Sequence, residues 1–425
     1  MPIRNDGQSS AVAGLCVRGL AARWEQTVFL FGCVAIGFLG VGRVEISILN
    51  SRLSSWSVSR TVFFFWLIWK LLVWIQYGWA ALEWRRIAFP HALLFFFVFV
   101  TASLFPYFRQ PGDYRYLLFG FFHYIVVADL FSRDHRPSLL LVLLGVIPGF
   151  LLARGLASDP SVFNLSRAVR FGYPLDHPNT AGYLFSMGIP LSLAAIVNWK
   201  GWIRGLSQFS LGAQLTGLVL TYSRGAWLGS LVSLLSLALV ERRLIKAVAF
   251  LALVVLLGLL ILHPVRDRLV SLFDVMQDPN VAWRMDVMVN TVSAGMERPF
   301  LGAGYGREHL RSALAQKYPD FFQQRFIPHS HNMYTELFCG AGFLGLGTFL
   351  WLLVSTLVHL FHEAMREEIK ERKIVLCCLA ASLLAFMVCG LGDVPFYHHE
   401  TRIFFFTLLA LISLHLPARA IRRTS

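Results

Sequence analysis

Three short stretches of the chain combine residue types that can hold an anion and move a proton. Thr221-Tyr222-Ser223-Arg224-Gly225-Ala226-Trp227 places Arg224 in a tight hairpin between two apolar runs, beside a glycine that lets backbone or ligand come close. Trp283-Arg284-Met285-Asp286 places a second arginine in the first turn of a candidate helix. A guanidinium makes planar, bidentate contact with phosphate oxygens, and each charge-assisted bond contributes roughly 1.5–3 kcal/mol. The third stretch, His329-Ser330-His331-Asn332, opens a long apolar run. The positive end of a helix starting there disfavours imidazolium, keeps the ring neutral and able to take a proton, and attracts phosphate. Each stretch also has a plainer reading. Arg224 can be an interface anchor, Arg284 a surface arginine paired with a carboxylate, and the two imidazoles structural.

Further candidates surround these. Arg167, Arg170, Arg307, Arg311 and Arg325 join Arg224 and Arg284 as a pool for an anion site, with half or more expected to be solvated or snorkelling charge. His177-Pro178-Asn179 opens another apolar run. Asp393, near His398 and His399, can orient or balance a catalytic histidine or an arginine. Lys70 lies deep in an apolar run, where an ionisable group is a functional hypothesis by default. A zinc reading of His329 and His331 needs a third ligand; His309 exists, but no cysteine or helical histidine partner supports it. No Asp-x-Asp, Asp-x-Glu or Glu-x-Asp pair lies on the side of these motifs. The expectation is therefore that no metal and no cofactor takes part, and that arginine stabilises any diphosphate leaving group.

The elements that must position these groups are apolar helices. Of 425 residues, 56% are hydrophobic, 37 of them Phe, with a mean hydropathy of +0.60. A soluble domain so apolar would expose large sticky patches, whereas a polytopic membrane protein turns them to lipid. Apolar runs fall near 24–42, 61–82, 87–105, 114–131, 138–157, 179–199, 206–222, 225–240, 245–262, 333–361, 374–391 and 401–416. They predict an all-α membrane protein of about twelve transmembrane helices. The formal charge of +14 would suggest nucleic acid for a soluble chain; here membrane-flanking Lys and Arg are the better source, and no nucleic-acid partner is expected. With both termini cytoplasmic, short cytoplasmic segments carry 19 Lys and Arg against 10 in short loops opposite, as the positive-inside rule requires. Five of the six cysteines fall in apolar runs and read as small fillers, and residues 1–20 show no removable signal peptide.

Three parts follow: residues 1–262 with nine helices, a loop domain at 263–332, and residues 333–425 with three more helices and a cytoplasmic tail. The loop is too long for a structureless connection. It reads as helices at 264–277, 280–297 and 307–318, with a turn-rich break at Leu301-Gly302-Ala303-Gly304-Tyr305-Gly306. Ser330 or Asn332 can cap the helix that re-enters the membrane.

Taken together, the motifs resemble the O-antigen ligase/polymerase superfamily. The resemblance rests on Tyr222-Ser223-Arg224-Gly225-Ala226 at a helix start and on Arg284 followed by Pro299-Phe300-Leu301-Gly302-Ala303-Gly304. It also rests on His329-Ser330-His331-Asn332 before Glu336 and Gly340-Ala341-Gly342-Phe343-Leu344-Gly345. It covers about residues 170–400; the N-terminal third matches only in hydropathy. The resemblance implies a metal-independent, inverting glycosyltransferase of the bacterial inner membrane, GT-C-like in architecture, with a lateral opening to lipid and a periplasmic active site. The implied donor is a glycan on undecaprenyl diphosphate. For the ligase branch the implied acceptor is a sugar hydroxyl of lipid A–core. His331 is then the general base with His329 in reserve and Asp393 beside them. Arg224 and Arg284 bind the diphosphate, with Arg170, Tyr222 and Asn332 around it. Rivals within the superfamily are an O-antigen polymerase, whose acceptor is another lipid-linked repeat, and a protein O-oligosaccharyltransferase. The rival of another class is a lipid-linked glycan transporter, which would bind near the midplane through broken, repeated helices.

Overall fold

The computed structural model describes residues 24–34, 58–78, 90–107, 112–133, 135–158, 170–172, 175, 177–240, 245, 249, 253, 279–324 and 326–416. Among them all regular structure is helical. After a helical stretch at 24–34, the elements are α1 (Val58–Tyr77), α2 (His91–Ser103), α3 (Tyr114–Leu130), α4 (Arg136–Ser158), α5 (Pro178–Asn198), α6 (Gly201–Leu220) and α7 (Arg224–Val240). Then come α8 (Pro279–Gly295), α9 (Arg307–Lys317), α10 (Pro319–Gln324), α11 (Met333–Arg366), α12 (Lys370–Cys389) and α13 (His399–His415). Among the described residues α4, α5, α11 and α12 are long and apolar enough to cross a bilayer, and α2 and α7 are shorter apolar helices. These helices are those of a multi-pass membrane protein.

The centre of the bundle is α5. From Thr180 to Ala195 every residue is buried, as an all-round apolar helix must be. It packs on α4, α6, α7 and α12 through small residues that let backbones approach closely. A Cβ on Gly145 of α4 would press on the Leu191–Ser192 backbone, and one on Gly182 of α5 on Ala226. Near Pro148, which cannot donate within α4, the Gly145 carbonyl accepts from Gln214 Nε2 at 2.7 Å, Ser210 Oγ at 3.1 Å and Ser192 Oγ. This polar knot joins α4, α5 and α6 in an otherwise apolar core.

Lys70 is neutralised inside the bundle. Its Nζ lies 2.8 Å from Asp129 Oδ1 and 4.5 Å from the Trp69 ring centre, while Trp66 Nε1 donates to Asp129 Oδ2 at 2.8 Å. Removing one partner of such a buried pair typically costs about 3–5 kcal/mol. The pairing gives Lys70 a structural role and joins α1 to the end of α3.

The element that carries the site is α11, and it is broken. Gly342 has φ +66° and ψ −168°, outside helical geometry. The segment from Pro299 to Gly304 docks into the break. The N–H groups of Ala303 and Gly304 donate to the carbonyls of Cys339 and Gly340 at 2.8 and 2.9 Å. In return Phe343 and Leu344 donate to the carbonyls of Pro299 and Phe300 at 2.7 and 3.2 Å. Every backbone group freed by the kink that takes part in this exchange is thus bonded to protein, the condition for non-helical backbone at membrane depth. Gly302, at φ +74°, lies so close to Gly340 that no side chain fits.

Eleven of the twelve expected apolar helices have a described helical counterpart; the run at 245–262 lies mostly outside the described residues, as do the loop helix at 264–277, Arg167 and Arg325. The helix expected at 206–222 starts earlier, at Gly201, and α8 starts at Pro279, so Arg284 sits past its first turn. The short α10 and the break in α11 were not expected.

Gly302→Ala and Gly342→Ala should each cost more than the roughly 1–2 kcal/mol of a left-handed residue, because the added carbon also meets backbone. A clear fall in the thermal midpoint of the solubilised protein is expected for both, and little change for Gly225→Ala, whose Cβ would meet open space.

Candidate active site

Asp393 lies in the turn between α12 and α13 and is only 3% exposed. Asn179 Nδ2 donates to its Oδ2 at 2.9 Å, and the Tyr183 hydroxyl donates to the same oxygen at 2.8 Å. Oδ1 accepts the Val394 N–H at 2.8 Å and faces His329 Nε2 at 3.4 Å. Burial acts to raise this carboxyl's pKa, but the His329 and His398 rings and the hydrogen bonds from Asn179 and Tyr183 outweigh it. Asp393 is held well below the usual carboxylate range and carries a buried negative charge.

Asn179 and Tyr183 sit one turn apart at the start of α5, so both reach the same carboxylate. His177 caps this helix, its Nδ1 accepting the Asn179 N–H at 3.1 Å. The His177 and His398 rings stack at 5.9 Å. Burial pushes both imidazoles down, His398 to about 4, against the opposing pull of Asp393. Both are neutral at neutral pH.

The His329–Asn332 segment approaches from the other side. His329 Nδ1 accepts the His331 N–H at 3.1 Å, which leaves the ring proton on Nε2, pointing to Asp393. The two rings meet edge to face at 4.3 Å. His331 itself has φ +60°, a left-handed conformation that costs a non-glycine residue about 1–2 kcal/mol. Such backbone persists only where its surroundings hold it. Glu336, one turn into α11 and 3% exposed, accepts the Ser330 N–H at 2.7 Å on one oxygen and the Tyr397 hydroxyl on the other. Asn332 caps α11, accepting from Tyr334 N at 2.9 Å and Thr335 N at 3.1 Å, and its amide donates to the Leu391 carbonyl at 3.0 Å. Those contacts make Asn332 a holder of the segment.

The arginines fall into two kinds. Arg170 spends its guanidinium on protein, donating to the Thr221 carbonyl at 2.9 Å and to Asn179 Oδ1 at 2.8 Å. It ties the α6–α7 hairpin to the Asp393 network. Within that hairpin Tyr222 is buried at φ +50° and packs on Val219 and Trp227. Arg224 follows at the start of α7, half-buried. Arg284 on α8 is exposed, and its charge acts on His177 and Tyr183. Arg307 belongs elsewhere: its Nε and NH2 bind Asp113 at 2.9 and 2.8 Å, and it lies over the Tyr397 ring at 4.9 Å. The hydrogen bonds to Asp113 raise its pKa, while burial acts to raise the Asp113 pKa and the Arg307 bonds prevail in lowering it.

The motifs with the hairpin arginine, the broken helix and the paired histidines now lie on one connected framework, and a family model described as O-antigen ligase matches residues 209–350. Over those residues the chain is similar to that family. A search of curated proteins returns no match. The family segment holds the hairpin, Arg284, the Pro299–Gly304 lock and the His329–Asn332 segment. Asn179, Tyr183 and Asp393 lie outside it, yet they complete the cluster.

Reasoning from sequence brought forward His329, His331, Asp393, Arg170 and Asn332, and the structure gathers them. It did not single out Tyr183, Glu336 or Tyr397 as partners, nor Asn179 as the link between Arg170 and Asp393. A usable signal existed for Glu336, an acid five residues past His331 at the mouth of an apolar helix. His309, weighed as a third metal ligand, is buried on α9; the donors of His329 and His331 are joined instead by Asp393, all within 4.8 Å of one another. That spacing is one a divalent cation can bridge with modest side-chain movement.

Glu336→Ala leaves the Ser330 N–H and the Tyr397 hydroxyl without their acceptor, each worth about 1–3 kcal/mol when buried. Its thermal midpoint should fall, whereas Glu336→Gln, able to accept from Ser330 and donate to Tyr397, should lose much less. His398 supplies a pH signature. Between its folded value of about 4 and its ordinary 6.5, the unfolded chain binds more protons, so stability rises with pH across that window and is lost as pH falls below about 6.5. Thermal midpoints at pH 7 and pH 5 should differ less in His398→Asn than in the unaltered protein.

Proposed function

We propose that the protein is an O-antigen ligase that transfers a glycan from undecaprenyl diphosphate to a sugar hydroxyl of lipid A–core. In this reading about twelve helices cross the bacterial inner membrane in a GT-C-like arrangement. Residues 1–262 and 333–425 form the membrane parts around a periplasmic loop domain at 263–332, with both termini cytoplasmic. The observation that carries the reading is the pair His329 and His331 set beside the buried Asp393.

The reaction divides among these groups. His331, half-buried at the mouth of α11, takes the proton of the acceptor hydroxyl as that oxygen attacks the anomeric carbon. The bond from that carbon to the diphosphate oxygen breaks on the opposite face, so the configuration inverts. The departing undecaprenyl diphosphate keeps the electron pair, and Arg224 and Arg284 stabilise the charge that grows on it. His329, with its Nδ1 on the His331 N–H and its Nε2 toward Asp393, orients the base. Asp393 stabilises the positive charge that the histidines acquire. The proton on His331 then passes to water before the next cycle. Arg170 and Tyr222 support the hairpin that presents Arg224, and Asn332 fixes the backbone after His331.

In a transfer assay with purified lipid-linked glycan, His331→Ala should lower turnover by about 10²–10⁴-fold, the usual contribution of a general base, while donor binding persists. Arg224→Ala should chiefly weaken the donor. Chelator should leave the rate unchanged. Normal transfer by His331→Ala, or a strict requirement for an added divalent ion, would overturn the mechanism. Supplying lipid A–core or a second lipid-linked glycan as acceptor separates ligase from polymerase.

A further inference from the structure

The sequence of α8 has two apolar faces where a packed helix needs one. Val287, Thr291 and Ala294 are at most 3% exposed and, with Leu310, Leu314 and Cys339, fill a small core between α8, α9 and α11. Met285, Val289, Val292 and Met296 follow one another at spacings of four, three and four, which at about 100° per residue is a single stripe. Their exposures are 43, 65, 38 and 56%. Along one flank of that stripe lie Asp286, Asn290 and Ser293, so the helix has apolar, polar and core-facing sides.

The stripe does not end with α8. It runs into Phe300 and Leu301, 68 and 42% exposed, in the segment docked on the break of α11. Phe343 and Leu344, whose N–H groups bond that segment, are themselves exposed. From there the exposed Trp351, Val354 and Val358 continue along α11, a helix of 34 residues apolar enough to cross a bilayer. The exposed apolar residues of α8 therefore lead, through Phe300 and Leu301, to the exposed apolar side of a helix long and apolar enough to cross a bilayer. Water covers neither part favourably, and hydrocarbon suits both.

We infer that α8 lies in the membrane surface, with its Met285–Met296 face sunk in the hydrocarbon of the leaflet on the site's side, and that this seat fixes the height of Arg284. Arg284 immediately precedes the first stripe residue and stands off the stripe, on the flank opposite Asp286. A helix so seated holds a guanidinium at the level of lipid phosphates, where the diphosphate of a membrane-bound donor must also lie. The functional consequence rests on the glycan-transfer reading; the seat itself does not.

The test is depth by nitroxide accessibility in liposomes, on the full chain with Cys16 and Cys33 replaced by serine and a single label at Val289→Cys, Met296→Cys or Asp286→Cys. Val289 and Met296 should be accessible to oxygen and shielded from a water-soluble nickel chelate, at about 5–10 Å below the phosphates. Asp286 should show the reverse. Nickel access at Val289 and Met296 equal to that at Asp286 would overturn the inference, since the face would then be in water. Shielding from both reagents would also overturn it, since protein, from this chain or another copy, would then cover the face. Val289→Asp should raise the KM for the lipid-linked donor several-fold with kcat little changed, and an unchanged KM would remove the link to Arg284. Accessibility is read without turnover, so a seated α8 in a protein that transfers no glycan would sink the functional reading alone.

Discussion

A buried carboxylate needs partners, and at Asp393 the partners come from three separate parts of the chain. Asn179 and Tyr183 bring the start of α5, His329 brings the segment before α11, and the turn between α12 and α13 supplies Asp393 and its own Val394 N–H. An ionised group with so little access to water is stable only when these donors are all in place. The charge thus acts as a registration point for the ends of the central helices. Arg170 extends it to the hairpin before Arg224, since the same Asn179 that donates to Asp393 accepts from Arg170. The hairpin that carries Arg224 and the segment that carries His331 are in this way indexed to one anion.

The second constraint is the broken helix. Had α11 run straight, the chain from Pro299 to Gly304 would have had no unpaired carbonyls to bind, and the loop helices no anchor at the membrane end. The glycines at 302 and 342 permit the mutual backbone exchange, and Glu336, in the half of α11 before the break, together with its cap Asn332, fixes the segment that holds His331 in its left-handed form. Loop docking and imidazole placement therefore belong to the same short piece of helix.

Much of this was legible in the residues. Apolar runs at bilayer length revealed the helices because lipid demands both the composition and the backbone bonding. The turn-rich run at 301–306 and the paired glycines at 340 and 342 were visible as punctuation, but nothing local says that one docks on the other; that is a long-range backbone pairing. The histidine pair, Asp393 and Arg170 stood out because ionisable groups beside apolar helices are costly and so have a use. Tyr183, Glu336 and Tyr397 stayed hidden, since a tyrosine or an isolated acid near a helix end reads as interface or capping until its partner is located. Lys70 was visible as an anomaly, while its answer, Asp129, lies 59 residues away at the end of another helix.

The central claim is that lipid diphosphate and acceptor meet at the Asp393 cluster, between Arg224, Arg284 and His331. The most direct measurement is a structure of the protein in lipid nanodiscs with an undecaprenyl diphosphate-linked sugar bound. The account predicts density for the diphosphate against the Arg224 and Arg284 guanidinium groups, with the anomeric carbon on the side of the His331 ring. A diphosphate bound near the bilayer midplane, or on the far end of the bundle from Asp393, would contradict it.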